Sequence, residues 1–348
     1  MIYINGRFLT QKITGVQRFA YELSKRLSQT RKDIVFLVPD LSSINPEYSI
    51  SSMQIVEVKG GGGHYWEQIT LPRFLKRNGM PLVISLCNTG PAFYKNQIAT
   101  SHDITYVRFP NSFPKKFRYF YRLITPLIIK NAKSILTVSN FSKEEISTYY
   151  GCDKNKIHVI YNAVNEDFKN INCDSVGEER YFLAVSSVNY HKNIHGLVQA
   201  FMESKLDAKL NIIGGTTKIF NDVNIKVDDP RINFLGRVDD KTLIQLYQNA
   251  QAFIFPSFYE GFGIPPLEAQ SCGCPVLSSD RASMKEVLAS SAIYFDPEDK
   301  SEIIDAMNSI CSDSDLRKNL IQMGLDNVGR FSWQDSANKL NLLIEQKK

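Results

Sequence analysis

Phe255-Pro256-Ser257-Phe258-Tyr259-Glu260-Gly261-Phe262-Gly263-Ile264-Pro265-Pro266-Leu267-Glu268 reads as the end of a buried strand, a glycine-bearing loop and the start of a helix. The apolar run Ala252 to Phe255 supplies the strand. Pro265-Pro266 suits a first helical turn, where the missing N–H is not needed. Strand, loop and helix start together make an anion site, because free backbone N–H groups and the positive end of the helix dipole point at one place. Gly261 and Gly263 let the backbone approach a ligand closely. The separation of Glu260 on the loop and Glu268 in the first helical turn lets the two carboxylates face different parts of one ligand. Taken singly, Glu268 is also an acid complementing the dipole, and Glu260 a solvated loop residue.

The same alternation of buried strand and amphipathic helix extends to both sides. Met1 to Asn5, Ile34 to Val38, Leu82 to Ser85, Ile98 to Thr100, Ile135 to Ser139, Tyr181 to Val185 and Leu210 to Ile213 read as further strands. Val16, Phe19, Ala20, Leu23 and Leu27 form one apolar stripe at helical spacing. Ser142-Lys143-Glu144-Glu145 reads as a capping box at another helix start. This alternation predicts an α/β protein with parallel sheets covered by helices on both faces. A chain of 348 residues exceeds a typical domain, and the polar, aperiodic stretch from Asn162 to Glu179 is the natural boundary. The expected organisation is a doubly wound, Rossmann-like domain over 1–165, a second over 175–330, and a C-terminal helix over 331–348 returning to the first. Two such domains face a cleft, and ligands in such sheets sit at the carboxyl ends of strands.

Three more segments lie at strand ends. Lys192, in Val185-Ser186-Ser187-Val188-Asn189-Tyr190-His191-Lys192-Asn193, stands beside a helix start, where a lysine is mildly unfavourable with the dipole unless it neutralises an anion such as a diphosphate. His102, in Ser101-His102-Asp103, follows a strand and would face the cleft; it also reads as a core histidine with Asp103 capping a turn. Gly15 either lets a phosphate or acceptor approach or simply starts the first helix. Gly60-Gly61-Gly62-Gly63 lacks the continuation of a dinucleotide fingerprint and reads as a loop near the cleft.

Composition excludes other classes. The chain is 43% hydrophobic and 22% charged, as a globular protein with large cores is, so disorder and coiled coil are disfavoured. A net charge of +5 is too small to suggest nucleic acid. No apolar run approaches a membrane span, and Met1-Ile2-Tyr3-Ile4-Asn5-Gly6 is unlike a signal peptide, so a cytoplasmic location is expected. Cys87, Cys152, Cys173 and Cys311 are scattered, and Cys272-Gly273-Cys274 has the wrong spacing for a zinc knuckle, so all six read as buried thiols. His191 and His195 could share a helix face, but no third metal ligand is evident nearby. Asp313-Ser314-Asp315 reads as a helix-start cap and not a metal site.

These motifs, in this order, resemble the family 4 retaining glycosyltransferases of GT-B fold. The resemblance rests on the Glu-x7-Glu frame of Glu260 and Glu268, on Tyr259 to Gly263 and on Glu268 to Val276. It also rests on Lys192-Asn193, on Phe234-Leu235-Gly236-Arg237-Val238, on His102-Asp103 and on Val138 to Ser142. It implies that Glu268 binds the ribose hydroxyls and Glu260 the donor-sugar hydroxyls near the reacting carbon. Lys192 would contact the leaving diphosphate and His102 the sugar. Gly261, Phe262, Gly263, Ile264, His191, Arg237 and Gly15 complete the expected ligand-binding set. Two departures stand out: Ser186 and Ser187 occupy positions where the family often has glycine, and His191 stands where many members have arginine before the lysine. Phosphate neutralisation is therefore expected to rest on Lys192, with Arg237 contributing.

The resemblance implies a hexosyltransferase that uses a nucleotide-sugar donor and no metal cofactor, with GDP-mannose the first guess for the donor. The implied setting is surface polysaccharide such as O-antigen. Residues 107–134 carry Arg108, Lys115, Lys116, Arg118, Arg122, Lys130 and Lys133 without an acid, interleaved with aromatics. That composition suits an anionic membrane surface and an acceptor carried on a lipid diphosphate, with peripheral attachment to the inner face of the plasma membrane; a helix with a solvated basic face is the alternative. Other readings are an enzyme with a soluble acceptor, phosphorylase-like, and a non-catalytic nucleotide-sugar-binding protein.

Overall fold

The computed structural model describes residues 1–169, 180–185, 189–214 and 227–348. Residue 175, where the second domain was expected to begin, lies outside them, as do Cys173, Ser186 and Ser187. The chain divides into two units. One comprises Met1–Val107, Pro114–Asn162 and Ser332–Lys348; the other comprises Arg108–Phe113 and Ala163–Phe331.

In the first unit, β1 (Ile2–Asn5), β2 (Ile34–Val38), β3 (Ile55–Glu57), β4 (Val83–Ser85), β5 (Gln97–Thr100), β6 (Ser134–Thr137) and β7 (Ile157–Val159) form one sheet. Its order is β3-β2-β1-β4-β5-β6-β7, and each neighbouring pair is parallel. All five residues of β2 are buried, as the unbroken run Ile34-Val35-Phe36-Leu37-Val38 requires of a strand covered on both faces. Ile4 pairs with Phe36 on one side and Ile84 on the other, fixing the register of the central strands. The helix Gly15–Thr30 buries Phe19, Ala20, Leu23 and Leu27, while Val16 at the stripe's start is only half-buried. Each fully buried Leu or Phe contributes about 1.5–3 kcal/mol.

The C-terminal helix Trp333–Lys347 packs against Gly15–Thr30 in this unit. Ser332 caps it, its hydroxyl accepting from the Gln334 and Asp335 amides at 3.1 and 3.2 Å. Trp333, Leu340 and Ile344 form its buried side. Arg31 donates to Asn341 at 2.7 Å and also pairs with Glu345, and Lys348 reaches Asp33 at 2.8 Å.

The second unit repeats the plan. Its strands are β8 (Tyr181–Val185), β9 (Lys209–Ile213), β10 (Ile232–Gly236), β11 (Ala252–Phe255), β12 (Val276–Ser279) and β13 (Ile293–Phe295). Their order is β10-β9-β8-β11-β12-β13, again parallel throughout. Phe182, Leu210, Ala252, Ile254 and Leu277 enter one core with Leu197, Phe201 and Met307 from the covering helices. Among the described residues no helix is long and apolar enough to cross a membrane.

Several local expectations differ from the structure. Ser142 is not a cap: the helix Asn140–Tyr150 begins earlier, and Ser139 accepts from the Ser142 amide at 2.9 Å. Strands β3, β7, β10, β12 and β13 were not anticipated. Four of them are sheet edges, and β12 ends in two buried serines that break the apolar signal. Arg108–Phe113 sorts with the second unit although it falls within 1–165. Cys272 and Cys274 are buried free thiols, whereas Cys87, Cys152 and Cys311 are only partly covered. Asp313 does cap a helix, Ser314–Val328, accepting from the Asp315 and Leu316 amides.

Candidate active site

In the second sheet the strand order runs outward from β8 through β9 to β10, and in the opposite sense from β11 to β13. The reversal therefore falls between β8 and β11, where doubly wound sheets hold their ligands. Lys192 follows β8 and Glu260 follows β11. The structure joins them: Lys192 Nζ donates to Glu260 Oε1 at 2.6 Å, with the lysine side chain 23% and the glutamate 14% exposed. The ammonium also stands 5.8 Å from the centroid of the Phe255 ring. Lysine and carboxylate thus make one unit, which the sequence reading treated as two separate groups.

Local folding explains how each is held. Lys192 ends a 3-10 turn, Tyr190–Lys192, and Asn193 adopts a left-handed conformation with φ of 52° before the helix Ile194–Glu203 begins. The Asn193 side chain donates to the Pro297 carbonyl at 2.8 Å, locking that turn. His191 is buried and its Nδ1 lies 3.0 Å from Ser112 Oγ, while its carbonyl accepts from the Phe258 amide at 2.8 Å. His191 therefore ties the turn after β8 to the loop after β11. It does not share a helix face with His195, because Asn193 separates the 3-10 turn from the helix; His195 stacks instead on Tyr190.

The glycine loop is fixed from beneath. Ser283 Oγ donates to the carbonyls of Glu260 and Phe262 at 3.0 and 3.1 Å, and Ser279 Oγ donates to that of Ser257 at 2.6 Å. Gly263 has φ of 93°, and a Cβ there would come within 2.5 Å of Met284 Cε. Its glycine is thus required by backbone and packing, whatever its role toward a ligand. The Phe262 ring packs edge-on against Phe331 at 5.4 Å, so only its main chain is available to a ligand.

Ile264 starts the helix Ile264–Ser271, with proline in its first turn. Glu268 is consequently the fifth helical residue, just past the first turn where it was expected, and is half-buried. Burial first, and then the Glu268 carboxylate nearby, push the Tyr247 phenol well above its usual range. On the far side of the helix, Gln270 is held by Asn327 at 2.8 Å and by Ser291. Arg237, just past edge strand β10, is exposed and pairs with no described residue. The structure does not bring it to the Lys192–Glu260 pair.

His102 and Gly15 belong to the first unit. Gly15 is the exposed first residue of its helix. His102 follows β5, buried, with its Nε2 3.4 Å from the Leu86 carbonyl and its ring 4.8 Å from that of Phe19. Burial lowers its pKa to about 4, the Leu86 contact opposing only in part, so the imidazole is neutral at neutral pH. Asp103 caps the next turn by accepting from the Thr105 amide at 2.8 Å. Where this sheet reverses order, between β1 and β4, lies a buried cluster the sequence reading missed. Glu67 accepts from Asn5 at 2.8 Å and stands 3.3 Å from both Arg7 and His64. Burial alone would raise its carboxyl; His64, Arg7, Thr89 and Asn5 hold it below its ordinary value. They come from three separate stretches, Asn5 and Arg7, His64 and Glu67, and Thr89, so no local pattern announces them. Among the described residues no three His, Cys, Asp or Glu side chains are grouped to hold a metal.

Two parallel, doubly wound units, one carrying a cation–carboxylate pair at its strand reversal, define the GT-B class of two-domain transferases. Residues 13–168 match the family described as Glycosyltransferase Family 4, and residues 166–326 match Glycosyl transferases group 1. O-antigen chain mannosyltransferase RfbU of Salmonella typhimurium is 35% identical over 251 residues, covering 71% of this chain and 69% of that one. O-antigen chain mannosyltransferase B of Escherichia coli is 29% identical over 369 residues, covering 94% of each. Sucrose-phosphate synthase of Thermosynechococcus elongatus has the same fold, with a TM-score of 0.76 at 17% identity over 99% of this chain and 98% of that one. The chain belongs to the family 4 glycosyltransferases of GT-B fold.

Proposed function

We propose that this glycosyltransferase moves a hexose, mannose from GDP-mannose in the first instance, to a lipid-diphosphate-linked saccharide during O-antigen synthesis. We propose further that it retains anomeric configuration and needs no metal. The sugar and the setting are supported by the relatives, which are named O-antigen mannosyltransferases. The observation that carries the chemistry is the Lys192–Glu260 pair at the strand reversal.

Breaking a sugar–phosphate bond builds negative charge on the leaving diphosphate and positive charge on the sugar ring. Lys192 meets the first and Glu260 the second, both already held at the strand reversal where that charge develops. In this reading Glu268 takes the ribose, its helix start supplies N–H groups to phosphate, and neutral His102 offers a hydrogen bond to the sugar without adding charge. Lysine and helix dipole together do the work a divalent cation does elsewhere. Lys115, Lys116, Arg122 and Lys130 on the helix Lys115–Asn131 support peripheral attachment at an anionic membrane surface on the cytoplasmic side.

The experiment is a thermal-shift panel of UDP, GDP, ADP and their sugars, run in EDTA, on wild type and Glu268→Ala. A ligand at about 100 Kd adds roughly 2.7 kcal/mol to stability. The expected result is a shift for guanine nucleotides that Glu268→Ala abolishes. A shift for another base would replace the donor; a shift that appears only with manganese would overturn metal independence.

A further inference from the structure

The loop Gly60–Gly63 has no part in the donor reading, yet it borders a cavity of about 680 Å³ in the first unit. That volume lies in the range of about 300–1,000 Å³ typical of small-molecule sites. The cavity opens where β3 ends, at the carboxyl edge that ligands use in doubly wound sheets. Its charged lining is Glu57, Lys59, Arg73 and Arg77. Lys59 stands 3.5 Å from Glu57, whose carboxylate also accepts from the Leu41 amide at 3.0 Å. Arg73 and Arg77 lie one turn apart on the helix Leu71–Arg77, both exposed, and neither pairs with any described residue. Like charges at this spacing destabilise a helix slightly, so the arrangement carries a cost that a bound anion removes.

The opposite wall is made by close approach of main chain to side chain. Gly60 and Gly61 have φ of 139° and 89°. A Cβ at Gly60 would lie 3.0 Å from Thr70, and one at Gly61 would lie 2.8 Å from the Tyr65 ring. The Thr70 hydroxyl donates to the Gly60 carbonyl, holding the loop against its helix. Tyr65, with 61% of its surface exposed, and Phe74 add apolar area beside the cations.

We propose that this cavity binds the diphosphate of the acceptor, with Arg73 and Arg77 as its forks and the Tyr65–Phe74 wall beside the group it carries. Guanidinium forks match phosphate oxygens bidentately. Three cations against one carboxylate leave a surplus of two positive charges, which complements a doubly esterified diphosphate. Assigning the diphosphate to the acceptor rests on the transferase reading; binding of a diphosphate does not.

The test is hydrogen–deuterium exchange over residues 57–77 of the full chain, with inorganic pyrophosphate and, separately, a polyprenyl-diphosphate-linked saccharide in detergent. Both are run on wild type, on Arg73→Glu/Arg77→Glu, and on Lys76→Glu, an exposed control on the same helix outside the cavity lining. The expected result is salt-sensitive protection that weakens about tenfold or more in the double variant and persists in the control. Protection by both probes says that the diphosphate suffices; protection by the lipid-linked probe alone assigns the site to the lipid-borne source. No protection by either, or protection that survives the double charge reversal, overturns the proposal. If pyrophosphate protects this segment while no nucleotide stabilises the protein, the pocket stands and the proposed donor assignment falls.

Discussion

At the scale of the residue, Lys192 carries the strongest prediction. A lysine before a helix start opposes the dipole, and the structure compensates it with Glu260 at 2.6 Å. Both side chains are mostly covered, so removing the cation leaves Glu260 without its partner and the developing charge on the diphosphate unneutralised. Lys192→Ala is expected to lower kcat by ~10²–10³ with the fold intact; a variant that turns over near the wild-type rate would remove the role. His102 gives a second test. Its pKa of about 4 lies below the 6.5 of an exposed histidine, so the unfolded chain takes up a proton that the folded chain refuses. The contribution is complete above about pH 6.5 and is lost as pH falls toward 4, amounting to about 3 kcal/mol at most. Denaturant unfolding of wild type and His102→Asn at neutral pH and near pH 4.5 checks this. Equal pH dependence in the two proteins would contradict it.

At the scale of the element, the helix Lys115–Asn131 differs most from what its composition suggests. Basic residues and aromatics alternate in sequence, but they separate in space. Phe117 stacks on Tyr121 at 4.1 Å, Phe120 lies against His64 at 4.3 Å, and Phe109 and Phe113 stack on Phe258 and His191. Tyr119 and Leu123 remain outward, 69% and 67% exposed, among Lys115, Lys116, Arg122 and Lys130. Attachment to a membrane would therefore be mainly electrostatic, with little insertion. The protein is expected to bind anionic vesicles at low salt, to release them as salt rises, and to lose binding when these four cations become glutamates. Absence of binding at low salt would end the membrane assignment. Elements also mark where the sequence was legible. Continuous apolar runs such as Ile34 to Val38 and Tyr181 to Val185 declare themselves, because a strand buried on both faces has no polar position. Edge strands such as Ile55–Glu57 lack that signal. The helix carrying Glu268 was legible from Pro265-Pro266, but its first residue, Ile264, was not, and that one-residue difference moves the glutamate from the first turn to the start of the second.

At the scale of the whole molecule, strand order was the part the sequence could not reveal. Alternation implies parallel sheets, yet the reversal between β8 and β11 follows only from which strands pair. That reversal is what brings Lys192 and Glu260, 68 positions apart, into contact. Ser279 and Ser283, which fix the glycine loop, were missed because a serine donating to a main-chain carbonyl has no periodic signature. The division of the chain has a further result. Residues 332–348 complete the first unit, but they follow residues 163–331, which build most of the second. On a ribosome adding about 5–20 residues per second, the first unit waits roughly 10–30 s for its last helix. During that interval Phe19, which faces Trp333 in the finished protein, lacks that partner. The first unit thus reaches its final packing only after the second has been synthesised, so translation rate through 163–331 bears on how long an aggregation-prone surface stays open.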